Sequence, residues 1–176
     1  MPFDKQPFLN SELLELVPLE ENYYHDLFSV AKDPLIWEQH PANDRWKGPV
    51  FKTFFSDALK SGGALIVKDK KTGNVIGSSR YHGYNAGKSE IEIGWTFLAR
   101  QYWGGIYNGE MKRLMLSHAF KYVDSVIFLV GPQNMRSRRA VEKIGGKITG
   151  GRIDGNGTES LEFTIAKTDW LTKPQK

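Results

Sequence analysis

Residues 12–19 (ELLELVPL) alternate apolar and polar positions, the period of a half-buried strand. The period then lengthens. Residues 20–32 read as a helix that opens on acidic side chains, which suit the positive end of its dipole. A second helix is expected over 50–60, where Phe51, Phe54, Phe55, Ala58 and Leu59 repeat at three and four. Between the helices runs a long polar and aromatic connection, IWEQHPANDRWKGP.

The period returns to two over residues 63–82, where GALIVKD and VIGSSRYH flank the turn KTGN and predict a hairpin. YNAGKS follows as a loop, and residues 89–98 (SEIEIGWTFL) as a third strand. From Tyr107, Met111, Leu114, Met115, His118, Ala119 and Tyr122 make one apolar stripe, so a helix of about four turns is expected. Residues 125–131 (SVIFLVG) are almost wholly apolar and read as a strand buried on both faces. A helix over 135–144 ends at Gly145-Gly146, a ready C-terminal cap. The chain closes with a hairpin over Asp154-Gly155-Asn156-Gly157 and a frayed tail from about 171 to 176.

That order is strand, two helices, three strands, helix, strand, helix, two strands. It predicts an α/β (α+β) class fold with helices on the faces of a sheet. With 176 residues, 40% of them apolar, one core can close and two comfortable domains cannot, so residues 1–176 are read as a single domain.

Composition narrows the chemistry. There are no cysteines, which removes disulfides, thiolate metal sites and a cysteine nucleophile and fits a reducing cytoplasm. No signal-peptide start or membrane-length apolar run is present, so a soluble cytoplasmic protein with no membrane partner is expected. Lys and Arg exceed Asp and Glu by 24 to 20. This mild surplus suits an anionic ligand and lacks the long basic runs of a nucleic-acid arm. No histidine pair has metal-ligand spacing, so no metal is expected.

The stretch WGGIYN puts Gly104 and Gly105 directly before the helix from Tyr107. Glycines there either turn the chain sharply or present the unpaired amides of the helix start to a pyrophosphate. Neither the Walker pattern nor GxGxxG is present. Downstream, the buried strand is followed by GPQNMRSRRAVEKIGG. The pair "strand, WGGIYN, amphipathic helix" and "buried strand, N-x-x-S-x-x-A-V-E-K-I-G" resembles the GNAT N-acetyltransferase superfamily, and looks closest to the branch named for enzymes that acetylate the N-termini of ribosomal proteins.

The resemblance implies a GNAT fold: a central mixed, mostly antiparallel twisted sheet of about seven strands flanked by about four helices. It implies acetyl-coenzyme A as acyl donor. The pantetheine would bond the backbone of Thr96, Phe97 and Leu98, as a peptide adds to a sheet edge. The pyrophosphate would lie on the amides of Trp103, Gly104, Gly105, Ile106, Tyr107, Asn108 and Gly109. Trp103, Ile106 and Asn108 depart from the family's usual (Q/R)xxGx(G/A) junction, and Gly104 matches an extra glycine common in this branch.

Acetyl transfer to an amine needs an acceptor for the amine proton and a donor for the departing thiolate. Glu90 and Glu92 share one strand face. Glu92 lies at the spacing of the family's base, and burial between apolar strands would raise its pKa; the other reading is a solvated strand face. The family's usual tyrosine acid is replaced by Val141, and Ser137 matches the alternative hydroxyl of the branch. Asn134 is expected to contact the pantetheine amides or to cap the helix. One of Arg136, Arg138 and Arg139 is a candidate for the cofactor phosphates. On the acceptor side, the resemblance points to Trp37, Glu38, Gln39, His40 and Arg45, with the loop near Tyr81 to Tyr84. The reading is an acetyl-coenzyme A-dependent N-acetyltransferase acting on a primary amine, borne by a small molecule or a protein N-terminus, by direct attack. The alternative is a coenzyme A-binding module without catalysis. Acceptor and oligomeric state stay open.

Overall fold

The computed structural model describes residues 2–172. In chain order its elements are β1 (Leu9–Asn10), β2 (Leu14–Pro18), α1 (Tyr24–Ala31), α2 (Gly48–Ser61), β3 (Ala64–Asp69), β4 (Val75–Asn85), β5 (Glu90–Leu98), α3 (Tyr107–Ala119), β6 (Ser125–Val130), α4 (Met135–Lys143), β7 (Lys147–Ile153), β8 (Glu159–Ala166) and α5 (Lys167–Thr172). The strands form one eight-stranded sheet in the order β1-β2-β3-β4-β5-β6-β8-β7. Neighbours are antiparallel except β5 and β6, which are parallel.

The expected elements are present, with two additions. The two-residue β1 is too short to show a period, and α5 occupies residues 167–172. The expected fraying therefore does not include Leu171 and Thr172, and residues 173–176 lie outside the described part of the chain.

Sheet alternation creates two cores. Along β3, Leu65 and Val67 enter one cluster while Ala64 and Ile66 enter the other, as successive residues of a strand must. The first cluster gathers Leu14, Leu16, Ile91, Ile93, Val126 and Phe163 under Met111 and Met115 of α3. The second holds Leu27 of α1 and Phe51, Phe54 and Phe55 of α2. Phe51 is fully buried and packs on Tyr24, Phe28, Phe54 and Phe55; burying such a ring contributes about 2–3 kcal/mol. The apolar β6 lies inside the sheet between β5 and β8.

Turn chemistry fixes the connections. Gly73, with φ of 76°, closes the β3–β4 hairpin, a conformation that costs glycine nothing. At the end of α4, Gly145 has φ of 105° and the Gly146 amide donates to the Val141 carbonyl at 2.9 Å, satisfying an end carbonyl of the helix.

Candidate active site

The site lies where two parallel strands part. β5 and β6 are in register from Glu90↔Ser125 to Glu92↔Ile127, and the ladder then ends. β5 continues to Leu98 and β6 to Val130. Between Gly94 and Phe97 the register of β5 against β4 shifts, and Trp95 takes a φ of 52°. A residue in the left-handed region inside a strand marks a bulge, which bends the strand and re-aims its side chains. Trp95 accordingly joins Phe97 on the α2 side, while Ile93 and Leu98 remain in the α3 core. Thr96, Phe97 and Leu98 thus form a strand edge with no partner in β6. The Leu98 carbonyl accepts from the Trp103 indole at 2.9 Å.

From β5 the chain runs through a single 3-10 turn into α3. No side chain caps α3. Among the described residues, the amides of Ile106, Tyr107, Asn108 and Gly109 have no protein acceptor. Gly104, with φ of 71°, turns the chain, and a Cβ at Gly104, Gly105 or Gly109 would meet nothing within 4 Å. Ile106 is exposed, so its branched side chain points away from the packed interior. An uncapped helix start with open glycines fits an anionic pyrophosphate.

Glu92 is 8% exposed, at the last register pair before the opening. Burial pushes its carboxyl up to about 7, against the pull of Arg152 and Arg80. Glu90 is half-buried. Asn134 is buried at the start of α4, where its Oδ1 accepts from the Ser137 amide at 3.3 Å. Ser137 is half-buried, and its hydroxyl has no partner among the described residues.

The connection before α2 folds onto the same opening. Trp37 is buried, and its ring lies 5.0 Å from that of Phe97. Arg136 joins this connection to α4 and the α3 junction. Its Nη2 donates to the Ile36 carbonyl at 2.7 Å, its backbone amide donates to Gln39 Oε1 at 3.1 Å, and its guanidinium lies 3.7 Å from the Trp103 ring centroid. Arg138 donates to the Pro132 carbonyl, and Arg139 is exposed. Arg45 packs over Phe54 and Trp37, beside His40.

Tyr81 is a correction to the expected acceptor group. It is fully buried in the α3 core, its hydroxyl donates to the Met115 carbonyl at 2.6 Å, and its ring packs on Phe3 and His118. Strand alternation gives the α2 side to its neighbour Arg80, which packs on Trp95 and Phe54. His118 is a core residue, with Nε2 donating to the Asp4 carbonyl at 2.8 Å.

Two residues escaped the sequence reading. Arg80 is one; a charged side chain on a strand ordinarily faces solvent. The other is Lys112, 5% exposed on the sheet side of α3. Its Nζ donates to Thr96 Oγ1 at 2.6 Å, and that hydroxyl also shares a hydrogen bond with Ser79 Oγ at 2.8 Å. Burial pushes the Lys112 ammonium down to about 7. A signal existed: Lys112, Leu116 and Ala119 form a second helical stripe beside the first.

Comparisons with known proteins bear on the family and the fold. A family model described as "Acetyltransferase (GNAT) domain" matches residues 14–147. A comparison with curated proteins finds no match. Among solved structures, a probable acetyltransferase (GNAT family) from Chromobacterium violaceum matches at a TM-score of 0.82 and 19% identity, covering 98% of this chain and 90% of its own. RimJ from Mycobacterium smegmatis in complex with CoA-disulfide matches at 0.69 and 16%, covering 91% and 84%. The ribosomal-protein-S5-alanine acetyltransferase from Vibrio fischeri matches at 0.68 and 16%, covering 96% and 100%. Identities this low speak to the fold.

Proposed function

Because the chain belongs to the GNAT acetyltransferase family and is therefore an acyltransferase, we propose that it moves acetyl from acetyl-coenzyme A to a primary amine by direct attack, within a single catalytic domain. The observation that carries this reading is the opening between β5 and β6, with a buried, proton-hungry Glu92 at its inner end and the uncapped start of α3 at its outer end.

The amine nitrogen attacks the thioester carbonyl carbon, the C–S bond breaks, and the sulfur leaves as a thiolate. Glu92, directly or through one water, takes the proton that the amine loses. At a pH above about 7 its carboxylate is charged and ready to accept. Ser137, with an uncommitted hydroxyl in the first turn of α4, is assigned the donor to the thiolate. The open edge Thr96, Phe97 and Leu98 would hold the pantetheine arm, with Asn134 beside it. The junction from Trp103 to Gly109 would receive the pyrophosphate. Trp37, His40 and Arg45 line the acceptor side.

The test is release of free thiol from acetyl-coenzyme A by the purified chain with primary amines, alongside equilibrium binding of acetyl-coenzyme A. Glu92→Gln is expected to lower kcat by about 10²–10⁴ with cofactor affinity unchanged. Cofactor binding with no amine-stimulated release would leave a coenzyme A-binding module. Equal losses of turnover and affinity would remove Glu92 from the chemistry.

A further inference from the structure

On the α2 side of the sheet, hydrogen-bond donors converge without an acceptor. The Arg45 guanidinium lies 4.8 Å from the Phe54 ring centroid, and that of Arg80 lies 5.7 Å from the same ring and 4.3 Å from Trp95. The ion pairs among the described residues are Arg100–Asp33, Arg113–Glu110 and Arg152–Glu162, so neither cation has a carboxylate within 4.0 Å. Arg80 is 6% exposed, and its Nε is buried with no hydrogen-bond partner. Glu92 and Asp57 act on Arg80 only at longer range.

Asp44 acts on Arg45 only at longer range, and His40, the side chain beside its guanidinium, offers no acceptor either. His40 Nδ1 accepts from the Ala42 amide at 2.9 Å, and a backbone N–H can only donate, so this nitrogen is unprotonated. The neutral ring therefore carries its proton on Nε2, the atom 3.5 Å from Arg45 Nη1. Two donors face each other. Burial, with Arg45 and Arg136, pushes His40 down to about 4, which keeps the ring in this neutral form. Unpaired buried charge is costly, and two like charges on one aromatic ring raise that cost. A group with negative charge and oxygen acceptors matches what this cluster presents.

The cluster adjoins the base. Arg80 pairs in register with Gly94, two residues along β5 from Glu92. A Cβ at Gly94 would lie 2.8 Å from Glu92 Oε2, so glycine keeps the space beside that carboxylate open. His40, Arg45, Gly94 and Trp95 are each only half-buried, so the Arg45 and His40 side of the cluster is open to solvent, with Arg80 beneath it.

Resting on the transferase reading, we propose that the acceptor amine carries an oxyanion, a carboxylate or phosphate, received by Arg80, Arg45 and the Nε2–H of His40 while the amine faces Glu92. Guanidinium groups match such oxygens in geometry and charge. The same pair of cations disfavours polyamines, whose charge they repel.

The test uses the product class, with coenzyme A saturating the protein so that its own phosphate site is filled. N-acetylglycine and the uncharged N-acetylglycinamide, both small, are titrated at fixed ionic strength, with inorganic phosphate as a third probe. Tryptophan fluorescence is the readout, because Trp95 and Trp37 lie against the two guanidiniums. The acid is expected to bind at least about tenfold more tightly than the amide, with Arg80→Met and Arg45→Met each removing most of that preference. Tighter binding of N-acetylglycine than of phosphate assigns a carboxylate, and the reverse a phosphate. Equal binding of acid and amide, no binding of any probe, or a preference that survives both variants overturns the proposal. An acetyl-coenzyme A thermal shift on the same samples separates the failures: with it retained, only the anion site falls; with it lost, the transferase reading falls too.

Discussion

Two buried ionisable residues sit beside the opening with opposite charges and the same midpoint, and their effects on stability run in opposite directions with pH. Glu92 holds its proton to about 7 in the fold, against an ordinary value of 4.5. Its effect on stability therefore worsens as pH rises from 4.5 through 7, where the buried charge forms. Glu92→Gln is expected to leave the melting temperature unchanged near pH 4.5 and to raise it at pH 8, while kcat/KM loses its rising limb near pH 7. A pH series of melts and rates on both proteins checks this. Lys112 titrates at about 7 against an ordinary 10.5. Its cost is absent above 10.5, grows as pH falls through that window, and is complete below 7. Lys112→Met should therefore stabilise by on the order of a few kcal/mol at pH 6.5 and by much less at pH 10. Equal stabilisation at both pH values would mean that packing, not charge, sets the effect. A position so costly that it holds the Thr96 hydroxyl under the open edge is better placed to position that strand than to stabilise α3.

At the scale of elements, the periods in the sequence located helices and strands because burial writes itself into residue spacing, and they missed what spacing does not encode. IEIGWTFL reads as one alternating strand, yet the left-handed Trp95 interrupts it and puts two consecutive residues, Gly94 and Trp95, out of simple alternation. Tyr81 was misassigned for the same reason of parity: one step along β4 exchanges the α3 core for the α2 side, where Arg80 lies. Arg80 and Lys112 were passed over because charge argues for exposure unless a ligand or a hydroxyl partner, invisible in sequence, is supplied. The glycines of the α3 junction were legible as a turn, and the structure divides their labour. Gly104 needs its φ of 71°, so Gly104→Ala should cost about 1 kcal/mol of stability. Gly105 has neither a positive φ nor a neighbour for a Cβ, so Gly105→Ala should change stability by less than about 0.5 kcal/mol. If the pyrophosphate approaches this backbone closely, Gly105→Ala nevertheless weakens acetyl-coenzyme A binding. Melting of the free protein and equilibrium titration of the two variants separate turning from binding.

Across the whole molecule, the opening joins parts that share little else. In the proposed reading β5 and α3 supply the cofactor side and the connection before α2 the acceptor side, and Arg136 of α4 touches both through Ile36, Gln39 and Trp103. A ligand that fills the opening should therefore stabilise the chain as a unit rather than one loop. At about 100 times its Kd, acetyl-coenzyme A should contribute roughly 2.7 kcal/mol, a rise of about 5–10 °C in melting temperature for a chain of this size. Adenosine diphosphate, which can reach the α3 junction but not the β5 edge, should give a smaller rise at the same concentration. Equal rises would mean that the phosphate site alone carries binding and that Thr96, Phe97 and Leu98 hold nothing. No rise with millimolar acetyl-coenzyme A would mean that the exposed Ile106 and the Trp103 indole on the Leu98 carbonyl have closed a site that the rest of the fold leaves open.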